Sequence, residues 1–452
     1  VGDEAAERHT DADALEHLRT LLRIPTVSRL DDALVDPAPF DEFIEALERL
    51  YPRVHEVLDR TVIDGHALLF RWAGRGAGQE AVLMGHYDVV AADDEAAWTH
   101  PPFAGVVTGT GAESVVWGRG TLDDKGAVTA ILEAVDGLVG AGFVPEHDVY
   151  LSFGHNEETA GSGAASLVAE LVRRDVHPRL VLDEGGAIIE NVFPGVHRPT
   201  AVVGVSEKGM ANISLTVEQS GGHASTPPRM TATARLARAL VRLESRRFPA
   251  SLTPPNIEMI RTIGAHSTPL LRFLFTRADT FRLLLAALFS RLGDETNAMV
   301  RTTAAITQLR ASDSANALAE RAVAVVNTRI AIDSSVDETL HHFRRAIHDP
   351  LVAIEALTPS EPSPVSPSTG PSWQLVADAV TAVHPRAIVS PYVMLGASDA
   401  RHFTAICPNV YRFTPFEMSA AERATLHAID ERMHVATFLS GIRFYRTLIE
   451  RL

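Results

Sequence analysis

A chain of 452 residues, 46% hydrophobic and 22% charged, is globular and long enough for two cores, which sets aside disordered and collagen-like classes. Its 41 basic against 57 acidic residues give a net charge of -16 with no visible basic patch, so no nucleic-acid partner is expected. The one cysteine, Cys407, excludes a disulfide framework and a cysteine-rich zinc knuckle.

In chain order, helical periodicity runs through His17, Leu18 and Leu22, and again over residues 40–50. Buried strands are expected at Ala67–Trp72, 81–90, 149–153 and 179–182, with helices at 124–139 and Gly163–Arg173 between them. Such alternation implies an α/β layer with a mostly parallel sheet, whose functional groups gather at the carboxyl ends of strands. The pattern changes near Glu207, where residues 211–218 alternate as a half-exposed strand (Ile213, Leu215, Val217). A helix at 231–245, strands at 302–309 and 322–332, a helix at Val336–Ile347 and a strand at 351–356 complete a β-α-β-β-α-β order. That order is a small ferredoxin-like α+β unit, with an excursion at 254–292 after its first helix. The Pro-rich stretch 359–371 reads as a return linker, followed by a helix at 373–383, a strand at 387–393 and a last helix beyond His427. The expected division is a catalytic domain at 1–206 and 361–452, interrupted by an inserted domain at 207–360.

No apolar run reaches the length of a membrane span. The richest, residues 270–292, is broken by Arg272, Arg277, Asp279 and Arg282, and the whole excursion at 254–292 reads as amphipathic helix packed on the inserted domain. The sharper reading is an apolar entrance for acyl chains or a membrane-surface contact. No basic-then-apolar signal segment is visible, and a cytoplasmic setting is the expectation, although a start at Val1 leaves room for a removed segment. Lysine occurs only at Lys125 and Lys208, positions where an ammonium is expected to be hard to replace by a guanidinium.

The chemistry-bearing groups sit at strand ends. Val82-Leu-Met-Gly-His-Tyr-Asp-Val-Val90 ends an apolar run with His86 and Asp88, which period-two geometry puts on one face. A carboxylate so placed can orient a ligating imidazole. Alone, such a His-x-Asp is more often ordinary polar capping. Three further strand ends bring acids: Asp123 and Asp124 in a glycine-rich turn into a helix, Glu157 and Glu158 between glycines, and Asp183 and Glu184 before a Gly-Gly pair. Asp123 or Asp124 could simply cap a helix, and paired glutamates are often a solvated turn. His427 comes much later. Carboxylates plus imidazole suit zinc, manganese or cobalt, and two metals sharing one carboxylate need about this many ligands. The histidines disfavour calcium.

His86-Tyr-Asp88, the Gly-Arg-Gly-x-x-Asp123-Asp-Lys-Gly turn, Glu157-Glu158, Asp183-Glu184-Gly-Gly and His427 resemble the signature of the M20 metallopeptidases, a group of carboxypeptidases, aminoacylases and dipeptidases. The resemblance covers nearly the whole chain. Ser251-Leu-Thr-Pro-Pro255, Arg301-Thr-Thr303, Tyr411-Arg-Phe-Thr-Pro415 and His427-Ala-Ile-Asp-Glu431 are most similar to the carboxypeptidase S and N-acyl-amino-acid hydrolase branch. It implies a zinc-peptidase-like fold with an inserted lid, and two Zn2+, with Co2+ or Mn2+ as substitutes. His86 and Asp183 would hold one metal and Glu158 and His427 the other, bridged by Asp123. Asp88 would orient His86, and Glu157 would be the general base toward water. In relatives the Asp123-Asp124 peptide is cis.

The resemblance also makes His223, in Ser220-Gly-Gly-His-Ala-Ser-Thr-Pro227, an oxyanion-stabilising group, often supplied by the partner subunit of a homodimer formed through the lid. Without the family, His223 is equally well a loop histidine. Asn316 and Arg329 stand where relatives hold substrate. Gly396 and Arg401, in Gly396-Ala-Ser-Asp-Ala-Arg-His402, resemble the loop whose arginine grips the substrate carboxylate. Asn316-Ala-Leu-Ala departs from the family's proline-ended turn.

The expected activity is hydrolysis of an amide next to a free carboxylate, in a small peptide or an N-acyl amino acid. A serine hydrolase is a poor rival, since no Gly-x-Ser-x-Gly turn occurs. A non-catalytic binding protein on the same scaffold, or an esterase or deacetylase of this fold, remains as an alternative.

Overall fold

The computed structural model describes residues 10–190 and 193–452, so the start of the first expected domain, residues 1–9, lies outside the described residues. The first helix, Asp11–Leu22, opens with a reciprocal cap in which Thr10 accepts from Asp13 N–H and the Asp13 carboxylate accepts from Thr10 N–H. It buries Ala14, Leu18, Leu21 and Leu22 on one face.

The central sheet is mixed and its middle is parallel. Its order runs Asp59–Ile63, Ala67–Trp72, His147–Gly154, Gly76–His86, Leu180–Asp183, Val410–Arg412, Thr200–Glu207, Ile188–Ile189 and Glu417–Met418, with Ile388–Met394 paired to Thr200–Glu207. The strands Gly76–His86, His147–Gly154, Leu180–Asp183 and Val410–Arg412 pair in parallel, with Leu83 opposite both Leu151 and Leu182 and His86 opposite Gly154. Parallel strands buried on both faces read as continuous apolar runs, as residues 81–84 and 149–153 do. Their carboxyl ends therefore lie side by side and deliver His86, Glu157 and Asp183 to one edge.

Helix Lys125–Gly140 is buried along almost its whole length and packs between the sheet, the first helix and the last helix, Val435–Ile449. Gly85 lets this packing close: a Cβ there would stand 2.7 Å from Asp124 Oδ2. A small antiparallel sheet of Val106–Thr108, Val115–Trp117 and Arg432–His434 was not legible in the sequence.

A second, four-stranded antiparallel sheet has the order Thr303–Arg310, Arg321–Ile330, Gly209–Glu218, Ala353–Ala356, with helices Ala232–Ser245 and Val336–Ile347 against it and a core of its own. This is the β-α-β-β-α-β order expected from the periodicity.

Two expectations are corrected. The strand expected to reach residue 90 ends at His86, so Asp88 lies in the following loop, where Val89 makes only an isolated bridge to Val27. The excursion at 254–292 holds three helices, Pro254–Gly264, Pro269–Phe275 and Arg282–Leu292, with Asp294–Met299 following, and its first helix packs on strand Ile388–Met394 of the central sheet, where packing on the inserted domain was expected. Its Met259, Ile260, Ile263, Phe275 and Phe289 form a core with Phe193, Val196 and Ile388, against the edge of the central sheet.

Candidate metal centre

Four of the sequence-derived candidates touch. His86 Nε2 lies 2.9 Å from Asp123 Oδ1, and His427 Nε2 lies 2.9 Å from Asp123 Oδ2 and 3.1 Å from Glu158 Oε2. Donor atoms of His86, Asp123 and Glu158 lie within 4.8 Å of one another. Glu158 Oε1 is buried without a hydrogen-bond partner among the described residues, an arrangement costly for a bare carboxylate and natural for one facing a cation. The donor set, imidazole with hard carboxylate oxygens, fits a zinc-type ion.

Asp183 ends its strand beside this group, and its Oδ2 accepts the backbone N–H of Ala400 at 2.8 Å. Burial pushes its carboxyl up, against the opposing pull of backbone donors and of the Arg412 and His86 charges. Gly186, two residues beyond Glu184, must be glycine because a Cβ would come within 2.0 Å of Val202 O. The Asp123-Asp124 peptide is cis.

Asp88 reaches the site by a different route from the one its spacing suggested. Fully buried, it lies 3.3 Å from His86 Nδ1 through Oδ1, and its own carbonyl stands 3.0 Å from the same nitrogen. Its two carboxylate oxygens also accept the N–H groups of Glu157 and Glu158, at 3.1 and 3.2 Å. One side chain thus sets both the imidazole and the glutamate turn.

Electrostatically the group is self-consistent. Burial opposes charge on His86, but hydrogen bonds to Asp123 and Asp88 outweigh it and hold its pKa well above the usual value. Hydrogen bonds to Asp123 and Glu158 push His427 up to about 10. Asp123 is held far below the usual carboxylate range despite burial, because both imidazoles bond to it. Burial, helped by Asp399, Asp123 and Asp88, raises the Glu157 carboxyl well above its ordinary value, with His86 opposing.

The remaining candidates divide. Arg401 follows the anchored Ala400, and Arg329 lies close enough that the Arg401 charge, after burial, lowers its pKa. Two guanidiniums drawn together suit a carboxylate ligand. Gly396 is half-buried, and a Cβ there would meet only Met394 Cε at 3.4 Å, so crowding does not explain this glycine. His223 and Asn316 are brought together with each other. His223 pairs with Ala317 in a two-stranded ribbon, Ala224 N–H donates to Asn316 O, and both residues are exposed. No hydrogen bond links them to the touching group among the described residues.

Two positioning groups escaped the sequence reading. Glu431, fully buried, accepts the N–H groups of Gly120, Leu122 and Asp123 at 3.1, 2.8 and 3.3 Å and pairs with Arg119. Asp124 Oδ2 accepts the His86 N–H at 3.4 Å, while burial keeps its carboxyl well above the usual range. Both stood inside quoted motifs, and only their burial distinguishes them. His427 and Asp430 adopt left-handed backbone, with φ of 57° and 62°, a conformation uncommon outside glycine that Asp and His enter more readily than most residues.

Residues 82–451 match the family model "Peptidase family M20/M25/M40", and the chain belongs to that family and is a hydrolase of the metallopeptidase type. It is 34% identical over 91% of its length to a probable carboxypeptidase S-like protein of Dictyostelium discoideum, covering 79% of that relative. It is 31% identical over 96% of its length to the human N-fatty-acyl-amino acid synthase/hydrolase PM20D1, covering 87% of it. A solved M20 family metallo-carboxypeptidase from Sulfolobus solfataricus shares the fold at TM-score 0.69 and 16% identity, covering 97% of this chain and 98% of that one.

Proposed function

We propose that the chain is a two-zinc amidohydrolase that cuts an amide beside a free carboxylate, in a dipeptide or an N-acyl amino acid. The observation that carries the reading is Asp123, whose two oxygens each face a different imidazole at 2.9 Å. This placement supports a reading in which one carboxylate is shared between two cations. His86 and Asp183 would hold one metal, Glu158 and His427 the other, and Asp123 both. Bound there, the metals would supply Lewis acidity toward the scissile carbonyl and acidify water.

The chain's own groups supply the rest. Glu157, its carboxyl raised by burial, takes a proton from water and returns it to the leaving amine. Asp88 fixes the Glu157 backbone and the His86 ring. Arg401 and Arg329 hold the substrate carboxylate. The unit at 207–360 acts as a lid, and His223 and Asn316, exposed on its ribbon, reach the site of a partner subunit in a homodimer.

A hydrolysis panel of dipeptides and N-acetyl amino acids tests this reading. Turnover should vanish with a chelator, return with zinc, cobalt or manganese, and require a free carboxylate. Turnover that survives chelation, or is indifferent to amidation of that carboxylate, contradicts it.

A further inference from the structure

Helix Arg282–Leu292 is apolar on its outer side as well as its inner one. Leu285, Ala286 and Phe289 are buried, while Leu283, Leu284, Leu288 and Leu292 stand exposed. The outer stripe of an ordinary surface helix is polar. The preceding helix, Pro269–Phe275, repeats the arrangement: it buries Phe275 and exposes Leu270 and Phe273, one turn apart. The two outer faces are joined where the Phe273 and Phe281 rings lie 6.3 Å apart. Exposed apolar side chains scattered singly are ordinary, whereas a continuous set of them marks a contact surface.

The charge around these side chains runs against that of the chain. The whole carries a net charge of -16, yet residues 269–292 hold Arg272, Arg277, Arg282 and Arg291, all exposed, against the single acid Asp279. Asp279 is itself paired with Arg261. Arg277 lies over the Phe273 ring at 4.1 Å, and Arg272 donates to Ser267 O at 3.1 Å, so both guanidiniums keep their charge at the surface.

The combination selects the occupant. A second copy meeting this face across a two-fold axis would set the same four arginines against themselves. Insertion across a bilayer is excluded by length: the helix has 11 residues, and among the described residues no helix is long and apolar enough to cross a membrane. A bilayer surface with anionic headgroups offers an apolar boundary to the leucines and phosphates to the arginines. The rest of the chain, acidic overall, is repelled by the same headgroups, which turns this face toward them.

We infer that residues 269–292 form a docking surface for an anionic lipid bilayer. Phe273, Leu284 and Leu288 enter the boundary between headgroups and acyl chains, and the arginines lie among the phosphates. This inference goes beyond the amidohydrolase reading and does not depend on it.

The test sediments the full chain with vesicles of phosphatidylcholine, alone or mixed with phosphatidylglycerol. Binding to the mixed vesicles is expected, with loss at high salt and little on phosphatidylcholine alone. Replacing any one of the four arginines by Gln should weaken binding to the mixed vesicles by about fivefold. Joining Leu284→Asp to Leu288→Asp should weaken it by more than about a hundredfold, since two side chains lose their immersion. All six altered positions are exposed, so circular dichroism of the variants should match the native protein. Failure to sediment with either vesicle overturns the inference, and so does binding indifferent to the leucine and arginine changes. An oligomer that forms without lipid and dissociates in the Leu284→Asp/Leu288→Asp protein also overturns it, because a second copy would then cover the face.

Discussion

Asp88 shows how much one buried side chain can organise. Its carboxylate is fully buried, yet its pKa is lowered, because hydrogen bonds and charge from His86 and the Glu157 N–H outweigh desolvation. Removing it would release the imidazole and leave the Glu157 and Glu158 N–H groups without their acceptor. Groups that orient metal-ligating histidines typically change affinity by about 10- to 100-fold, and Asp88→Ala should weaken zinc binding by that factor in competition with a chromophoric chelator. An affinity within twofold of the native protein's would show that the contact is incidental. The general-base role proposed for Glu157 has a separable signature. Glu157→Gln should lower kcat by about 10²–10⁴ with metal content unchanged. Loss of metal alongside activity would make Glu157 a ligand instead of a base.

At the scale of elements, the late chain is clamped onto the turn that carries Asp123. Strand Arg432–His434 pairs with Val115–Trp117, and Glu431 gathers three N–H groups of the following turn while neutralising buried Arg119. Glu431→Ala leaves a buried guanidinium unpaired, a change that typically costs about 3–5 kcal/mol, which denaturant unfolding would register. A loss below about 1 kcal/mol would rank this pair with exposed ones.

The two lysines make a parallel point. Lys125 Nζ donates to Leu21 O and Ile24 O at the end of the first helix, and Lys208 Nζ donates to Ala298 O and Arg301 O at the end of the excursion. Each sits buried where two carbonyls converge, a point-like target that an ammonium reaches and a planar guanidinium fits badly. Burial first, then the Arg329 charge, lowers Lys208 to about 8, whereas an unfolded lysine titrates near about 10.4. Between those values the unfolded chain keeps a proton the folded chain has released, so stability should rise with pH across that window. Lys208→Met should abolish the rise. Unfolding curves with the same pH slope in both proteins would contradict this.

For the whole molecule, the sequence carried the α/β alternation, the change of period near Glu207 and the candidate acids at strand ends. Apolar runs and glycines at those ends report directly on parallel strands and their turns. It did not carry the three-stranded sheet, whose strands are three residues each and whose third member lies some three hundred residues after the first two. Nor could periodicity tell which surface the excursion's apolar face would choose, since both available cores are apolar. Asp88 was found for its spacing, but it is a loop that brings it to His86. His223 and Asn316 form an exposed pair on their own ribbon, and the proposed homodimer would give that pair a target. Mixing His223→Ala with Glu157→Gln protomers should then restore activity that neither variant has alone, because one composite site in the hybrid is intact. No recovery on mixing would return His223 to an ordinary loop histidine.

The account turns on Asp123 lying between two cations. Anomalous diffraction from zinc-loaded crystals tests this most directly. Two peaks flanking Asp123 are expected, one against His86 and Asp183 and the other against Glu158 and His427. A single peak that bypasses Asp123, or metal bound elsewhere, would contradict it.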